Sequence, residues 1–245
     1  TGVEASVVVQ ARQTLEETDW LLSVVVDSPA IEGVVGWFPL SEAAVEDEIA
    51  RRSENENRGH LVGVRHVVQD EPDPRFILGD AFNRGVAVLE RYELVYDILV
   101  VERQLPGSIE FVDRHPNQRF VLDHVAKPRI AEGETEPWAT LLGEIARREN
   151  VTCKVSGVVT EAEWNHWSID TLRPYLDRVF EAFGPKRLMV GSDWPVCLVA
   201  TSYGEWYRTV RDYCAALSED EQRWVFGKTA ERAYGLRNDE SNTSS

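Results

Sequence analysis

The sequence predicts an α/β protein, a (β/α)8 TIM-like barrel that lacks its first strand in this chain. Three observations carry that expectation. Short β-branched runs alternate with helical patterns along the whole chain, which implies a parallel sheet. The runs are near-continuously apolar, as strands covered on both faces must be. Seven such βα units, each of roughly 30 residues, follow one another without a domain-scale linker, and this suits a barrel better than an open sheet. No G-x-G-x-x-G follows the first run, so dinucleotide binding has no support. One domain is expected over residues 1–236, followed by a polar tail at 237–245.

Each unit can be justified in turn. Ser6–Ala11 (SVVVQA) reads as a strand, and Thr14 to about Val26 as a helix. Gly33–Phe38 (GVVGWF) is the second strand. A helix is expected over Ser41–Ser53, with Ser41 as N-cap and glutamates in its first turns to suit the helix dipole. Leu61–Val67 precedes a helical region from Arg75 to Arg91, and Leu94–Val100 precedes a helix near Gln104–His115. Arg119–His124 pairs with a helix near Glu136–Arg148, and Val151–Ser156 with one over Ser168–Phe183. Arg187–Ser192 precedes a helix over Ser202–Leu217. A last helix opens at Ser218 with a Ser-x-x-Glu capping box closed by Glu221.

The 245 residues include 43% apolar and 9% aromatic side chains, enough for a sizeable core, which excludes disorder for most of the chain. No uninterrupted apolar run approaches the ~18 residues of a membrane span. Forty-two acidic residues against 26 basic ones give a net charge of −16. Such a surface repels nucleic acid and anionic membranes. Only four of the basic residues are lysines, Lys127, Lys154, Lys186 and Lys228. Two readings of this balance stand side by side, an ordinary acidic cytoplasmic enzyme and a halophilic one. Cys153, Cys197 and Cys214 form no C-x-x-C, which argues against a disulfide framework and a structural zinc site. No charged segment followed by an apolar run opens the sequence, so a cytoplasmic location is expected.

In barrels of this kind the chemistry sits where strands end and βα loops begin. Read that way, the second strand carries Trp37 and the third ends in Arg65-His66. The fourth carries Asp97, flanked by apolar residues as a structural carboxylate would be. The fifth ends in Asp123-His124 with Lys127 following, the sixth in Lys154-Val155-Ser156-Gly157, and the seventh in Ser192-Asp193-Trp194-Pro195. A lone histidine at a strand end is most often a packing residue. Several strands converging on one face with His, Arg, Asp, Lys and Ser weaken that reading. An Asp and a His across a barrel mouth can deprotonate a water or hold a divalent metal, and an Arg nearby can hold a carboxylate or an oxyanion. No G-x-S-x-G occurs, so activated water is favoured over a covalent acyl-enzyme.

The runs V-L-D-H-V-A-K-P (Val121–Pro128), K-V-S-G (Lys154–Gly157) and G-S-D-W-P-V (Gly191–Val196) together resemble the amidohydrolase superfamily. More narrowly they resemble its amidohydrolase-2 branch of sugar-lactone hydrolases, of the L-fuconolactonase and L-rhamnonolactonase type. G-V-V-G-W (Gly33–Trp37), G-V-R-H (Gly63–His66), the surroundings of Trp138 and T-A-E-R-A-Y-G-L (Thr229–Leu236) fit the same branch. The resemblance implies hydrolysis of a cyclic ester. By it, Asp193 and His124 are catalytic, with Asp193 the base and both candidate metal ligands. Arg65, His66, Trp37 and Lys154 are the implied substrate contacts. A zinc-type divalent ion is the implied cofactor, although the superfamily's H-x-H ligand pair is absent from this chain, which begins at what resembles the second strand. The implied partner is a small-molecule sugar lactone, with homo-oligomerisation left open.

Three readings follow: a sugar lactonase, a dicarboxylate lactonase or metal-dependent decarboxylase, and a sugar-acid-binding barrel without turnover. A dicarboxylate binder needs several cations at the mouth, where the sequence places Arg65, Lys127 and Lys154. The halophilic reading carries its own test. The melting temperature is expected to rise as KCl increases from ~0.1 M to ~1 M, because the Debye length falls from ~10 Å to ~3 Å and the self-repulsion of the acidic surface is screened. Thermal unfolding followed across that range checks it, and a salt-independent midpoint would leave only the ordinary acidic enzyme.

Overall fold

The computed structural model describes residues 2–53 and 59–236. The expected polar tail at 237–245 lies outside the described residues. Seven strands form one parallel sheet: β1 (Ser6–Val9), β2 (Ile31–Gly36), β3 (Leu61–Val67), β4 (Val95–Leu99), β5 (Phe120–Leu122), β6 (Val151–Val155) and β7 (Leu188–Val190). Spatial order follows chain order, β1-β2-β3-β4-β5-β6-β7, so every crossover is between neighbours. The sheet curls into a barrel that lacks one strand. Among the described residues no ladder joins β1 to β7.

The helices follow the strands: α1 (Leu15–Asp27), α2 (Val45–Ser53), α3 (Asp80–Leu89), α4 (Leu105–Arg114), α5 (Trp138–Ala146), α6 (Ile169–Phe183), α7 (Tyr203–Cys214), α8 (Glu219–Arg223) and α9 (Thr229–Tyr234). Side-chain caps fix several starts. Thr14, Ser168, Ser202 and Ser218 each accept a hydrogen bond from a first-turn backbone N–H, and Ser218 with Glu221 completes the expected capping box. Two expectations need correction. The helix expected from Ser41 starts at Val45, because the Glu42 N–H bonds the Pro39 carbonyl and the intervening residues turn instead of winding. The helical region expected from roughly Arg75 to Arg91 is divided, with α3 flanked by short 3-10 turns at Phe76–Leu78 and Glu90–Tyr92.

The core has two layers. The larger lies between sheet and helices, where Phe38, Phe82, Tyr96, Phe111, Phe120 and Trp206 are almost fully buried. The smaller fills the barrel interior with Val35, Val62, Val95, Val121 and Met189, closed from below by Ala233 and Tyr234 of α9. The C-terminal helix therefore plugs the barrel floor. The chemistry-bearing side chains of the strand ends are left at the other end. No described helix is long and apolar enough to cross a membrane.

Candidate active site

The chain leaves β5 through an unusual turn. His124, Val125, Ala126 and Lys127 all adopt left-handed backbone conformations, with φ between 49° and 58°. Each such residue costs about 1–2 kcal/mol, so the surroundings must impose the turn. The Trp138 indole does so by donating to the Val125 carbonyl at 2.7 Å, and the Lys127 N–H bonds the His124 carbonyl at 2.9 Å. Opposite the turn Gly157, at φ +66°, passes so close that a Cβ there would lie 2.7 Å from the His124 Cβ. Only glycine fits. Asp193 leaves β7 in the same left-handed region, at φ 53°.

These bends bring His124 and Asp193 together. The His124 Nε2 lies 3.6 Å from the Asp193 Oδ1, and its Nδ1 lies 2.8 Å from the Ser156 Oγ at the end of β6. Burial holds the imidazole neutral and pushes its pKa down to about 3, against the pull of Asp123, with Arg65, Lys154 and Lys127 also disfavouring a further charge. Burial acts the other way on Asp193 and raises its carboxyl to about 6, although Lys127 partly offsets the shift. Beyond Asp193 the chain lays down an apolar rim of Trp194, Val196 and Leu198, all exposed.

Beneath this pair lies a buried charge cluster. The Lys154 ammonium sits 2.6 Å from the Asp97 Oδ2 and 2.7 Å from the Asp123 Oδ1; the second contact is an ion pair outside hydrogen-bond geometry. Arg65 donates to the other oxygen of Asp123 at 2.8 Å and to the Gln10 carbonyl. The Tyr234 hydroxyl donates to the Asp97 Oδ2 at 2.8 Å from the barrel floor. Burial would raise Asp123, but Lys154 and Arg65 hold it well below the usual carboxylate range. Burial, reinforced by Asp123, prevails at Asp97 and pushes it up to about 6 despite Lys154. Burial would likewise lower Lys154, yet the two carboxylates keep it firmly protonated.

The sequence-expected residues thus separate into groups. Asp193 and His124 meet at the mouth. Arg65 and Lys154 are spent largely on the carboxylates below it. Trp37 and His66, expected as substrate contacts, bond each other: the indole N–H donates to the His66 Nδ1 at 3.2 Å, and the His66 Nε2 lies 2.7 Å from the Glu71 Oε1. Both ring nitrogens of His66 are therefore occupied by the protein. Ser156, Asp123 and Tyr234 belong to the assembly without having been given roles. The D-H and K-V-S-G runs held the first two in view, whereas nothing local marks Tyr234.

The separation between the His124 Nε2 and the Asp193 Oδ1 is one that two ligands of a single ion can span. A catalytic zinc takes three protein ligands, however, and among the described residues no group of three or more His, Cys, Asp or Glu is arranged to hold a metal. The expected metal pair comes together, but the other carboxylates are turned onto Lys154 and Arg65. The described residues alone do not complete a metal centre.

A family model described as "Amidohydrolase" matches residues 1–236. An L-fucono-1,5-lactonase of Burkholderia multivorans is 43% identical over 244 residues, covering 95% of this chain and 81% of the relative. A second L-fucono-1,5-lactonase, from Burkholderia ambifaria, is 35% identical over 240 residues, covering 96% of this chain and 81% of the relative. Among solved structures, an amidohydrolase from Burkholderia multivorans with bound zinc superposes with a TM-score of 0.90 at 41% identity, covering 96% of this chain and 84% of that one.

The buried cluster makes a direct prediction. Lys154→Met keeps the side-chain volume but leaves two buried carboxylates facing each other, and should cost about 3–5 kcal/mol of folding stability at pH 7. The loss should shrink toward pH 5, because protonation of Asp97, already raised to about 6, removes one of the two charges. Urea unfolding at both pH values measures it. A loss under about 1 kcal/mol at pH 7 would mean that the ammonium does not hold the cluster.

Proposed function

This chain belongs to the amidohydrolase family, and we propose that within it the protein is a lactonase that opens a sugar-acid lactone, with an L-fuconolactone the best-supported substrate. The observation that carries the reading is the Asp193 carboxylate beside the neutral His124 at the barrel mouth, with an ionisation raised to about 6. A carboxylate so placed ionises at neutral pH yet is a stronger base than a solvated one, which suits general-base work.

The reaction needs a water to attack the lactone carbonyl, a base to take its proton, and a positive field for the tetrahedral oxyanion. Asp193 is the proposed base. With the His124 Nδ1–H donated to the Ser156 Oγ, the Nε2 lone pair faces the mouth beside the Asp193 Oδ1, and one water can donate to both. The oxyanion would be stabilised by Lys127, whose ammonium is held only loosely, 3.8 Å from Glu161 at the mouth, and by the field of Arg65. The ring oxygen departs as an alcohol once it takes up the proton that Asp193 removed. Trp37 and His66 would shape this wall through their mutual hydrogen bond rather than by contacting substrate. Lys154 would act through Asp123 and Asp97.

A divalent ion of the zinc type remains a proposal that leans on the zinc-bound neighbour and on the two donor atoms at the mouth. When bound, such an ion would polarise the carbonyl and acidify water. A cytoplasmic location and salt-loving stability are likewise proposals, supported by the acidic, lysine-poor composition.

Asp193→Asn should lower kcat by at least about 10²-fold with little loss of stability. In the wild type, kcat/KM should fall about tenfold per pH unit below about 6, where Asp193 takes up a proton, and level off above it. His124, held near 3, should add no second limb between those values. Lactone hydrolysis followed by acid release across pH 4.5–8 tests both, and an unchanged rate in Asp193→Asn would rule out the carboxylate as base.

A further inference from the structure

The opposite end of the barrel holds a feature that the lactonase chemistry does not use. A cavity of about 460 Å³ opens at the N-terminal ends of β5, β6 and β7 and is bordered by α9. Its wall carries four cations, Arg119, Lys186, Arg187 and Arg232, against one carboxylate, Glu149. This is unexpected in a chain with 42 acidic and 26 basic residues.

None of the four cations has a carboxylate within 4.0 Å among the described residues. Arg12, Arg84, Arg103, Arg173 and Arg208 are the other described cations in that condition, and none of them lines the cavity. The four are held instead by uncharged partners. Arg119 donates to the Ala233 carbonyl at 3.1 Å and to the Glu93 carbonyl. Arg187 donates to the carbonyls of Arg148 and Val151 at 3.2 and 3.3 Å, and Arg232 to that of Lys186. Lys186 and Arg232 also lie over the Trp224 ring, 5.7 and 4.8 Å from its centroid.

Carbonyls and ring faces orient these groups without neutralising them. A guanidinium has five N–H donors, so each arginine keeps donors to spare. Four like charges around one concavity repel one another and concentrate a positive field within an otherwise negative molecule. A bound anion relieves that repulsion and takes charge-assisted hydrogen bonds from a preset fork geometry. The volume falls within the range of small-molecule sites.

We propose that this cavity binds a small multivalent oxyanion, a phosphate or a polycarboxylate, on the barrel floor away from the proposed catalytic residues. The site is independent of the lactonase reading.

Isothermal titration calorimetry of the full chain at fixed ionic strength tests it, with inorganic phosphate in one arm and citrate in the other. Saturable binding with a Kd under about 1 mM is expected in at least one arm, and the arm that responds identifies the source of the oxyanion. Lys186→Gln combined with Arg232→Gln, both at exposed positions, should weaken it by at least about tenfold. Arg208→Gln, on α7 and not among the residues lining the cavity, should leave it unchanged. No saturable binding in either arm overturns the proposal in the wild type alone, whatever the variants do. Binding of equal strength in the double variant also overturns it, since the anion would then sit elsewhere.

Discussion

One ammonium group sets the terms for the upper half of this barrel. Lys154 reaches from β6 to two carboxylates on different strands, Asp97 of β4 and Asp123 at the end of β5, neither with any exposed surface. Two buried carboxylates without a cation would be prohibitively costly, and a buried lysine without carboxylates would lose its proton. Each group makes the others tolerable. Arg65 extends the cluster to β3, and Tyr234 ties it to the helix that closes the floor. The carboxylates cannot leave this arrangement to serve the mouth.

That constraint explains the division of labour at the strand ends. With Asp97 and Asp123 committed below, Asp193 is the carboxylate left beside His124, and it lies in a setting dry enough to raise its ionisation. The strained left-handed turn from His124 to Lys127 moves the imidazole over Gly157 and toward Ser156, where one ring nitrogen is occupied and the other faces Asp193. Strain of this kind persists only where neighbouring contacts over-determine it, and the Trp138 hydrogen bond is such a contact.

The fold was legible because its signals are periodic and local. β-branched runs, a capping box such as that of Ser218 and Glu221, and the absence of a linker each fix a unit without reference to the rest. Boundaries were less legible. Ser41 has the chemistry of a cap, but the backbone bond from Glu42 to Pro39 delays the helix. In the candidate site, residue types at strand ends located His124 and Asp193, because strand direction alone sends both to one end. Their partners were another matter. The Tyr234–Asp97 bond spans 137 positions, and no pattern in the sequence announces it. Trp37 and His66 were expected as substrate contacts, yet sequence alone cannot show that two polar side chains, 29 positions apart, satisfy each other. The cationic floor is hidden for the same reason: its cations come from the residues that lead into β5 and β7 and from α9.

The central claim is that Asp193, the carboxylate beside His124 at the mouth, is poised to accept a proton near pH 6. Carboxyl-carbon NMR of protein carrying 13C-labelled aspartate, titrated from pH 3 to 8, measures this most directly. Two buried carboxyls, Asp97 and Asp193, should titrate near 6, and Asp193→Asn should abolish one of them while leaving Asp97 in place. Asp123 should remain ionised to the bottom of the range. An Asp193 resonance titrating near 4, like a solvated aspartate, would contradict the account.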